Sequence, residues 1–563
     1  MLGSSGATAR SVEIRPGRRA TVTLIRPPVV VLPGALATHG PTPPLGAAYV
    51  AAALRDAGFH VQLIDGAGAA LDQSVTIPSP IGPLQRIGLS IDAIVEGIDA
   101  KASVVGVSTM FLHEWPTVRE LCSTIKQRRP DIHLVVGGEN ATAFHRWMLQ
   151  QSDAIDCCVL GEGEATMVEL VERLSAGHSL DGLEGIATRP DRRDASSGVG
   201  VLPKRMTRAQ LADHAARPAW DLVPLDRYWE HYPFFGVHRG RSIEVLGTRG
   251  CPYRCSFCSS PQMWTTRYVT RAPEDVADEI EDYVKRFGVR NVNFVDLTAA
   301  TNRRWTLALC DEIEARGLDL TWQLPVGTRI EAIDREVLGR LRATGCRNIT
   351  FAPESGSDRL LTIMDKRVDL DHVLEAVAEA EELGLNATIN VLIGHPHETW
   401  RDLWKSVRFM LKASWLGCSD TAVVMFCPYP GSADFDELVA GGTHVVDEAS
   451  YFVGISRGSS HHPSWNPRIS ARQLRLVQLA MIASFYALNW LRRPSRAARF
   501  LRGQITGTEE TYLDQMVRTR RRNLDRLDPN AARGTPGTDI GDGPPTRPPL
   551  DAEMASPVRS AAR

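Results

Sequence analysis

Twice along the chain, short β-branched runs alternate with helical patterns, and that alternation limits the fold more than any other feature. Between residues 20 and 175 the runs "TVTLI" (21–25), "VQLID" (61–65), "SVVGVST" (103–109), "IHLVVGG" (132–138) and "CCVLG" (157–161) read as strands. Their near-continuous apolarity suits a parallel sheet covered on both faces. The segments between them, such as "WPTVRELCSTIKQRR" and "EATMVELVERLSAG", read as helices. The expected result is a doubly wound, Rossmann-like α/β domain over 20–188, with ligands beyond the carboxyl ends of its strands.

A second series follows. Strands are expected at "SIEVLGT" (242–248), "VNFVDL" (292–297), "LTWQLPV" (320–326), "NITFAPE" (348–354), "NATINVLIG" (386–394) and "TAVVMFCPYP" (421–430). Each of the first five is followed by a helical stretch. Six strands with five intervening helices predict a partial (β/α)6 TIM-like barrel over 236–440, its active site at the strands' carboxyl ends. Residues 189–235 read as a linker or connector, and 441–523 as a helical C-terminal region. The polar, basic stretch 1–19 reads as a disordered tail with no signal peptide. Residues 524–563, rich in Pro, Gly and Asp, read as a second disordered tail.

At 563 residues the chain needs two or three domains, and 43% hydrophobic with 23% charged residues is the composition of a globular protein. A net charge of −2 gives no global reason to expect nucleic acid as a partner. Ten cysteines, mostly scattered, do not form a disulfide framework and suit a reducing cytosol, so a cytoplasmic protein is expected. No unbroken run of about 20 apolar residues is present.

Three of the cysteines are not scattered. "GTRGCPYRCSFCSS" (247–260) places Cys251, Cys255 and Cys258 immediately after the first strand of the second series. A structural zinc site would need a fourth ligand, and no second Cys pair follows at zinc-ribbon spacing. A redox pair would use Cys255 and Cys258 and leave Cys251 without a role. A four-iron cluster normally takes four thiolates, so three would leave one iron open.

This C-x3-C-x2-C pattern, with Phe257 before the last cysteine, resembles the radical S-adenosylmethionine superfamily. The resemblance implies a [4Fe-4S] cluster on Cys251, Cys255 and Cys258, with S-adenosyl-L-methionine chelated by the open iron. "FAPESGS" is similar to the family's fourth-strand segment, which would bring Glu354 and Ser355 to the cofactor. "NVLIGHPHE" is similar to its G-x-I-x-G-x-P-x-E segment, with Gly394, Pro396 and Glu398 beside the adenine. "FVDLT" stands where many relatives carry consecutive acids, which makes Asp296 a weaker match.

The domain ahead of the barrel looks like that of the cobalamin-binding class of this superfamily, through "TPPLGAAYVAAALRDAGFHVQLID", "VVGVST", "VVGGENAT" and "VLGEGEAT". The resemblance implies cobalamin, with Ser108 and Thr109 bonding its nucleotide tail. Gly137, Gly138, Gly161, Glu162 and Gly163 are expected at the same ligand, the glycines allowing close backbone approach. The D-x-H-x-x-G motif that supplies a histidine to cobalt is missing, and His113 reads as a solvated loop residue. His461 and His462 read as an ordinary loop pair.

By this resemblance the chain is a cobalamin-dependent radical methyltransferase, in which a 5′-deoxyadenosyl radical activates an unactivated carbon and methylcobalamin supplies the methyl group. A lipid, terpenoid or natural-product intermediate would be the substrate, and a flavodoxin or ferredoxin the electron donor. An oxidative cyclase or carbon–carbon bond-forming enzyme is the alternative, and a non-catalytic cobalamin or redox sensor a further one. The apolar stretch running into Arg492, Arg493, Arg496, Arg499 and Arg502 allows peripheral membrane contact through 476–502 or closure of the barrel's open side.

Overall fold

The computed structural model describes residues 20–33, 40–189, 217–231, 235–457 and 459–525. The tail expected at 1–19, most of the expected linker and the tail beyond 525 lie outside the described residues.

In the first domain the strands Thr21–Arg26, His60–Asp65, Ala102–Ser108, His133–Gly137 and Cys157–Val159 form one parallel sheet. The first strand lies between the second and the third, with the fourth and fifth beyond. Alternate residues serve opposite faces. Val104 and Cys157 pack with helices Leu45–Asp56 and Gly163–Ser175, while Val105 and Cys158 pack with Trp115–Arg128 and Glu139–Gln151. The doubly wound expectation holds because both faces are covered.

Two small features were not expected. Ile186–Thr188 adds an antiparallel edge strand, and Val29–Val31, Ser74–Ile77 and Leu84–Ile87 form a separate antiparallel sheet. Strands of three or four residues are too short to show a period.

The barrel strands Ser242–Val245, Asn291–Phe294, Thr321–Thr328, Cys346–Glu354, Asn386–Ile393 and Asp420–Met425 lie side by side, parallel and in chain order. Among the described residues the first and last strands do not pair, so the barrel is partial. Its helices start where side chains cap them: Asn302 accepts from the Trp305 N–H, Asp334 from Val337, Asp369 from His372 and Thr399 from Asp402. The last strand stops at Met425, short of the expected 430, because Pro428 and Pro430 have no N–H for a ladder.

The described part of the expected connector, residues 217–231, contains a helix. Helix Leu225–His231 buries Leu225 and Tyr228 in a core that spans both domains, and the Tyr228 hydroxyl donates to Asp65 Oδ2 at 2.8 Å. Helix Ala471–Arg492, opened by a Ser470–Gln473 capping box, lies along the last barrel strand. Gln478 donates to the Val423 carbonyl at 2.8 Å, Tyr486 to Asp420 at 3.0 Å and Asn489 to the Cys418 carbonyl at 2.7 Å. By length and composition it is the one helix among the described residues that could cross a membrane, yet these bonds hold it against the barrel.

Asp65 is fully buried and its carboxyl takes two donors, the Tyr228 hydroxyl and the Gly68 N–H at 2.9 Å. Tyr228→Phe is expected to lower unfolding stability by about 1–3 kcal/mol, the penalty for leaving a buried acceptor short of a donor. Thermal or denaturant unfolding measures it.

Candidate active site

The loop that carries the three cysteines is pinned at several points. Asp296, at the end of the second barrel strand, accepts the Thr248 hydroxyl at 2.6 Å, the Thr248 N–H, and the Gly247 N–H at 3.3 Å. Burial pushes its carboxyl up to about 6. Farther along, the Ser256 N–H donates to the Met364 carbonyl at 2.9 Å and the Ser256 carbonyl accepts from the Asp434 N–H at 3.0 Å. Asp296 is thus a positioning residue for the loop, a role its departure from the family pattern had obscured.

Cys251, Cys255 and Cys258 are free and half-buried. Burial pushes Cys255 up to about 11 and raises the other two, while Lys366 and Arg329 pull Cys251 and Cys255 back. Thiols held above their ordinary range become ligands through metal coordination, which deprotonates them. Among the described residues no three Cys, His, Asp or Glu side chains converge on a single ion. A four-iron cluster takes one thiolate per iron, so three spaced cysteines on one loop fit it better than they fit a zinc tetrahedron.

Around this loop stand groups with unused bonding capacity. Arg329, 5% exposed, stacks 3.7 Å from the Tyr253 ring centroid, and its Nη1 is buried without a partner. Glu354 ends the fourth barrel strand with φ +67°, a left-handed conformation rare for a residue with a Cβ, and its Oε1 meets Lys366 Nζ at 3.3 Å. Glu398 Oε2 accepts the Gly394 N–H at 2.5 Å, while its Oε1 is buried and unpartnered. An orphaned guanidinium nitrogen beside the cysteine loop and an orphaned carboxyl oxygen after the fifth barrel strand fit an amino-acid-bearing, polar cofactor.

The other expected cofactor residues divide. Ser355 is fully buried, but its hydroxyl meets Ser406 Oγ at 3.2 Å and accepts the Ser357 N–H, so it braces the turn rather than facing a ligand. Gly394 has φ +85°, and a Cβ there would stand 2.7 Å from Leu474, so close helix packing demands the glycine. Pro396 is half-buried in the same turn. Phe257 packs with Leu360, Met364, Phe426 and Trp465 in a small apolar cluster.

On the first domain, Ser108 ends the third strand half-buried. Thr109 is fully buried and its Oγ1 accepts from Asn140 at 3.2 Å, a bond made inside the domain. A Cβ on Gly138 would lie 2.4 Å from the Thr109 carbonyl oxygen, and one on Gly163 3.2 Å from Val50. Close approach at these two glycines is therefore to the chain itself. Gly137 would meet only ordinary contacts, and Gly161, at φ +79°, donates its N–H to Thr142 Oγ1.

Glu162 stands at the joint between the two domains. Its carboxylate lies 3.1 Å from Arg249 Nη1, and Glu164 Oε1 lies 2.6 Å from the same nitrogen. Arg249 stands two residues before Cys251 and stacks 4.8 Å from the Tyr49 ring centroid of the first domain. A second link joins Ser259 Oγ to Glu139 Oε1 at 3.1 Å, and burial raises the Glu139 carboxyl. The strand ends of the two domains thus meet at the cysteine loop. Arg249, Glu139, Glu164, Arg329 and Lys366 escaped sequence reasoning because single charges at the ends of strands and helices or in the turns beside them carry no period.

His113 is half-buried, not solvated: it stacks on Phe111 at 5.4 Å, and burial with nearby Arg457 pushes it down to about 3. His462 is a core residue between Ser456 Oγ (3.1 Å) and the Phe426 carbonyl (2.8 Å), whereas His461 is exposed.

Residues 33–171 match the B12 binding domain and residues 245–410 the radical SAM superfamily. An uncharacterised methyltransferase of Pyrococcus horikoshii is 28% identical over 398 residues, covering 71% of this chain and 79% of that protein. Cytidylyl-2-hydroxyethylphosphonate methyltransferase of Streptomyces wedmorensis is 25% identical over 448 residues, 75% and 82% of the two chains. The structure of the radical S-adenosylmethionine methyltransferase TsrM from Kitasatospora setae shares the fold, with a TM-score of 0.62 at 18% identity over 84% of this chain and 89% of that one. With both domains and their joint at the cysteine loop in view, the chain belongs to the cobalamin-binding radical S-adenosylmethionine enzymes. Its cofactors are a [4Fe-4S] cluster, S-adenosyl-L-methionine and cobalamin.

Two outcomes are expected. Arg249→Met leaves Glu162 and Glu164 buried without their cation, which costs about 3–5 kcal/mol; chemical denaturation reads that loss. The second concerns Glu398, which burial pushes up to about 8 from an ordinary value of 4.5. The folded chain holds an extra proton between those values, so the stability from this group is full below pH 4.5 and is lost as pH rises toward 8. Melting temperature should fall across that window in the parent and fall less in Glu398→Gln.

Proposed function

We propose that this protein is a cobalamin-dependent methyltransferase that methylates an unactivated carbon of a small molecule, a lipid, terpenoid or natural-product intermediate. The observation that carries this reading is the buried Arg249 bridge, which ties the turn after the fifth strand of the B12 domain to the cysteine loop of the barrel. Methyl donation and carbon activation come from different cofactors, so their two domains must be held mouth to mouth, and a fixed ionic joint does that. Relatives named as methyltransferases cover most of the chain and support it.

When bound, the cofactors supply one-electron cleavage of S-adenosyl-L-methionine and a cobalt-borne methyl group. The chain's own residues bind and orient. Cys251, Cys255 and Cys258 would hold the cluster, and Asp296 fixes the start of their loop. Arg329, with a free buried Nη1, would hold the carboxylate of S-adenosyl-L-methionine, and Glu354, steadied by Lys366, would meet the polar remainder. Glu398, protonated at neutral pH, can donate from the carboxyl oxygen that now lacks a partner. The apolar group of Phe257, Leu360, Phe426 and Trp465 walls this region from water. A low-potential flavodoxin or ferredoxin would deliver the electron.

Anaerobic reconstitution with iron, sulfide and cobalamin, followed by mass spectrometry of candidate substrates with methyl-deuterated S-adenosyl-L-methionine, tests the reading. The expected product gains one labelled methyl group. Cys255→Ala should abolish cluster absorbance and 5′-deoxyadenosine formation while leaving cobalamin bound. Deoxyadenosine without label in any product points instead to cyclisation or carbon–carbon bond formation.

A further inference from the structure

Three neighbouring helices turn outward a surface of aromatic, aliphatic and cationic side chains with no exposed acid. On Trp400–Leu416, Trp400, Trp404 and Trp415 are 46%, 61% and 50% exposed, and Arg401, Arg408 and Lys412 are exposed between them. The one acid of this helix, Asp402, is buried in its N-terminal cap, bonded to Thr399 and Ser357. Helix Ala471–Arg492 contains no Asp or Glu; Leu476 and Leu491 are 68% and 82% exposed, with exposed Arg472 and Arg492 at its two ends. Helix Pro494–Thr506 also lacks acids and exposes Leu501 and Ile505 beside Arg502.

Contacts make one face of them. Ser414 Oγ donates to the Phe485 carbonyl at 2.9 Å, and the Arg492 guanidinium sits 4.0 Å from the Trp415 ring centroid. Trp490 and Phe500 pack at 5.5 Å across the next turn. Arg493, Arg496 and Arg499 at the rim pair with Glu381 and Glu510. The exposed Arg401, Arg408, Lys412, Arg472 and Arg502 have no exposed acid on their own helices. The whole chain carries a net charge of −2, so this concentration of cations is local.

We propose that this face docks the enzyme on an anionic lipid bilayer. Tryptophan favours the headgroup level, exposed Leu and Ile favour the acyl boundary, and Arg and Lys reach lipid phosphates; all three are present here, without the acids an anionic surface would repel. A second copy of the chain is a poorer occupant, because a two-fold contact would set this cationic face against itself. Helix Ala471–Arg492 lies in the plane of the surface rather than across it, since spanning would strip Gln478, Tyr486 and Asn489 of their bonds to the barrel. Trp400 follows two residues after Glu398, so the docked edge adjoins the barrel mouth, where a bilayer-borne substrate would enter. The docking itself does not depend on the methyl-transfer reading.

The test is co-sedimentation of the full chain, carrying its cluster and cobalamin, with vesicles of phosphatidylcholine alone and of phosphatidylcholine mixed with phosphatidylglycerol. Binding to the mixed vesicles alone is expected, weakening as salt rises. The triple change Arg401→Gln, Arg408→Gln and Lys412→Gln should weaken it roughly 100-fold. Trp404→Ala should weaken it by about tenfold while cofactor absorbance stays unchanged. Equal binding of parent and variants, binding indifferent to lipid charge, no binding to either vesicle, or a stable dimer or acidic protein complex that the same substitutions dissolve would each overturn the proposal.

Discussion

The structure depends on one buried arginine. Arg249 belongs to the barrel by sequence and to the first domain by contact: its guanidinium lies between Glu162 and Glu164 and against the face of Tyr49. All three charged side chains are nearly out of solvent, so the attraction among them is little screened. Burying them is costly, and such a cluster is weak as a source of stability but strong as a fastener, because no other arrangement satisfies its charges. It lies two residues from Cys251. Whatever geometry relates the metal site to the cobalamin site is therefore transmitted through a short, stiff stretch of chain.

That fastener explains the order around it. The cysteine loop is bonded to the second barrel strand through Asp296, to the turn after the fourth through the Met364 carbonyl, and to the region after the sixth through the Asp434 N–H. It is held on the barrel side and on the B12 side together. Glu139, at the start of a first-domain helix, adds the polar contact to Ser259 that completes the frame. A site fixed from two domains can keep two large cofactors in register without a lid of its own.

Much of this was legible in the sequence, and the limits were physical. All the principal strands of both domains were readable because buried parallel strands are dense in Val and Ile, and the cysteine spacing is specific in itself. The sixth barrel strand was read too long because its apolar run continues past Pro428. The individual roles of small and polar residues were less legible. Gly138 and Gly394 do need glycine, but for contact with the Thr109 carbonyl and with Leu474. Ser355 and Glu162 stand in family segments yet spend their polar atoms on Ser406 and Arg249. A motif names the residue type at a position; only three-dimensional neighbours decide whether its atoms are already taken.

The edge of the last barrel strand has a consequence for how the chain comes to be assembled. Val423 and Asp420 find their partners in Gln478, Tyr486 and the Tyr512 N–H, all far downstream. As synthesis proceeds, six parallel strands emerge with one flank unsealed until those later residues arrive. Parallel sheets form slowly, and an open flank of Val and Met is a template for pairing with other chains. Sealing that flank is therefore left to residues that lie some fifty to ninety positions beyond the strand they cover.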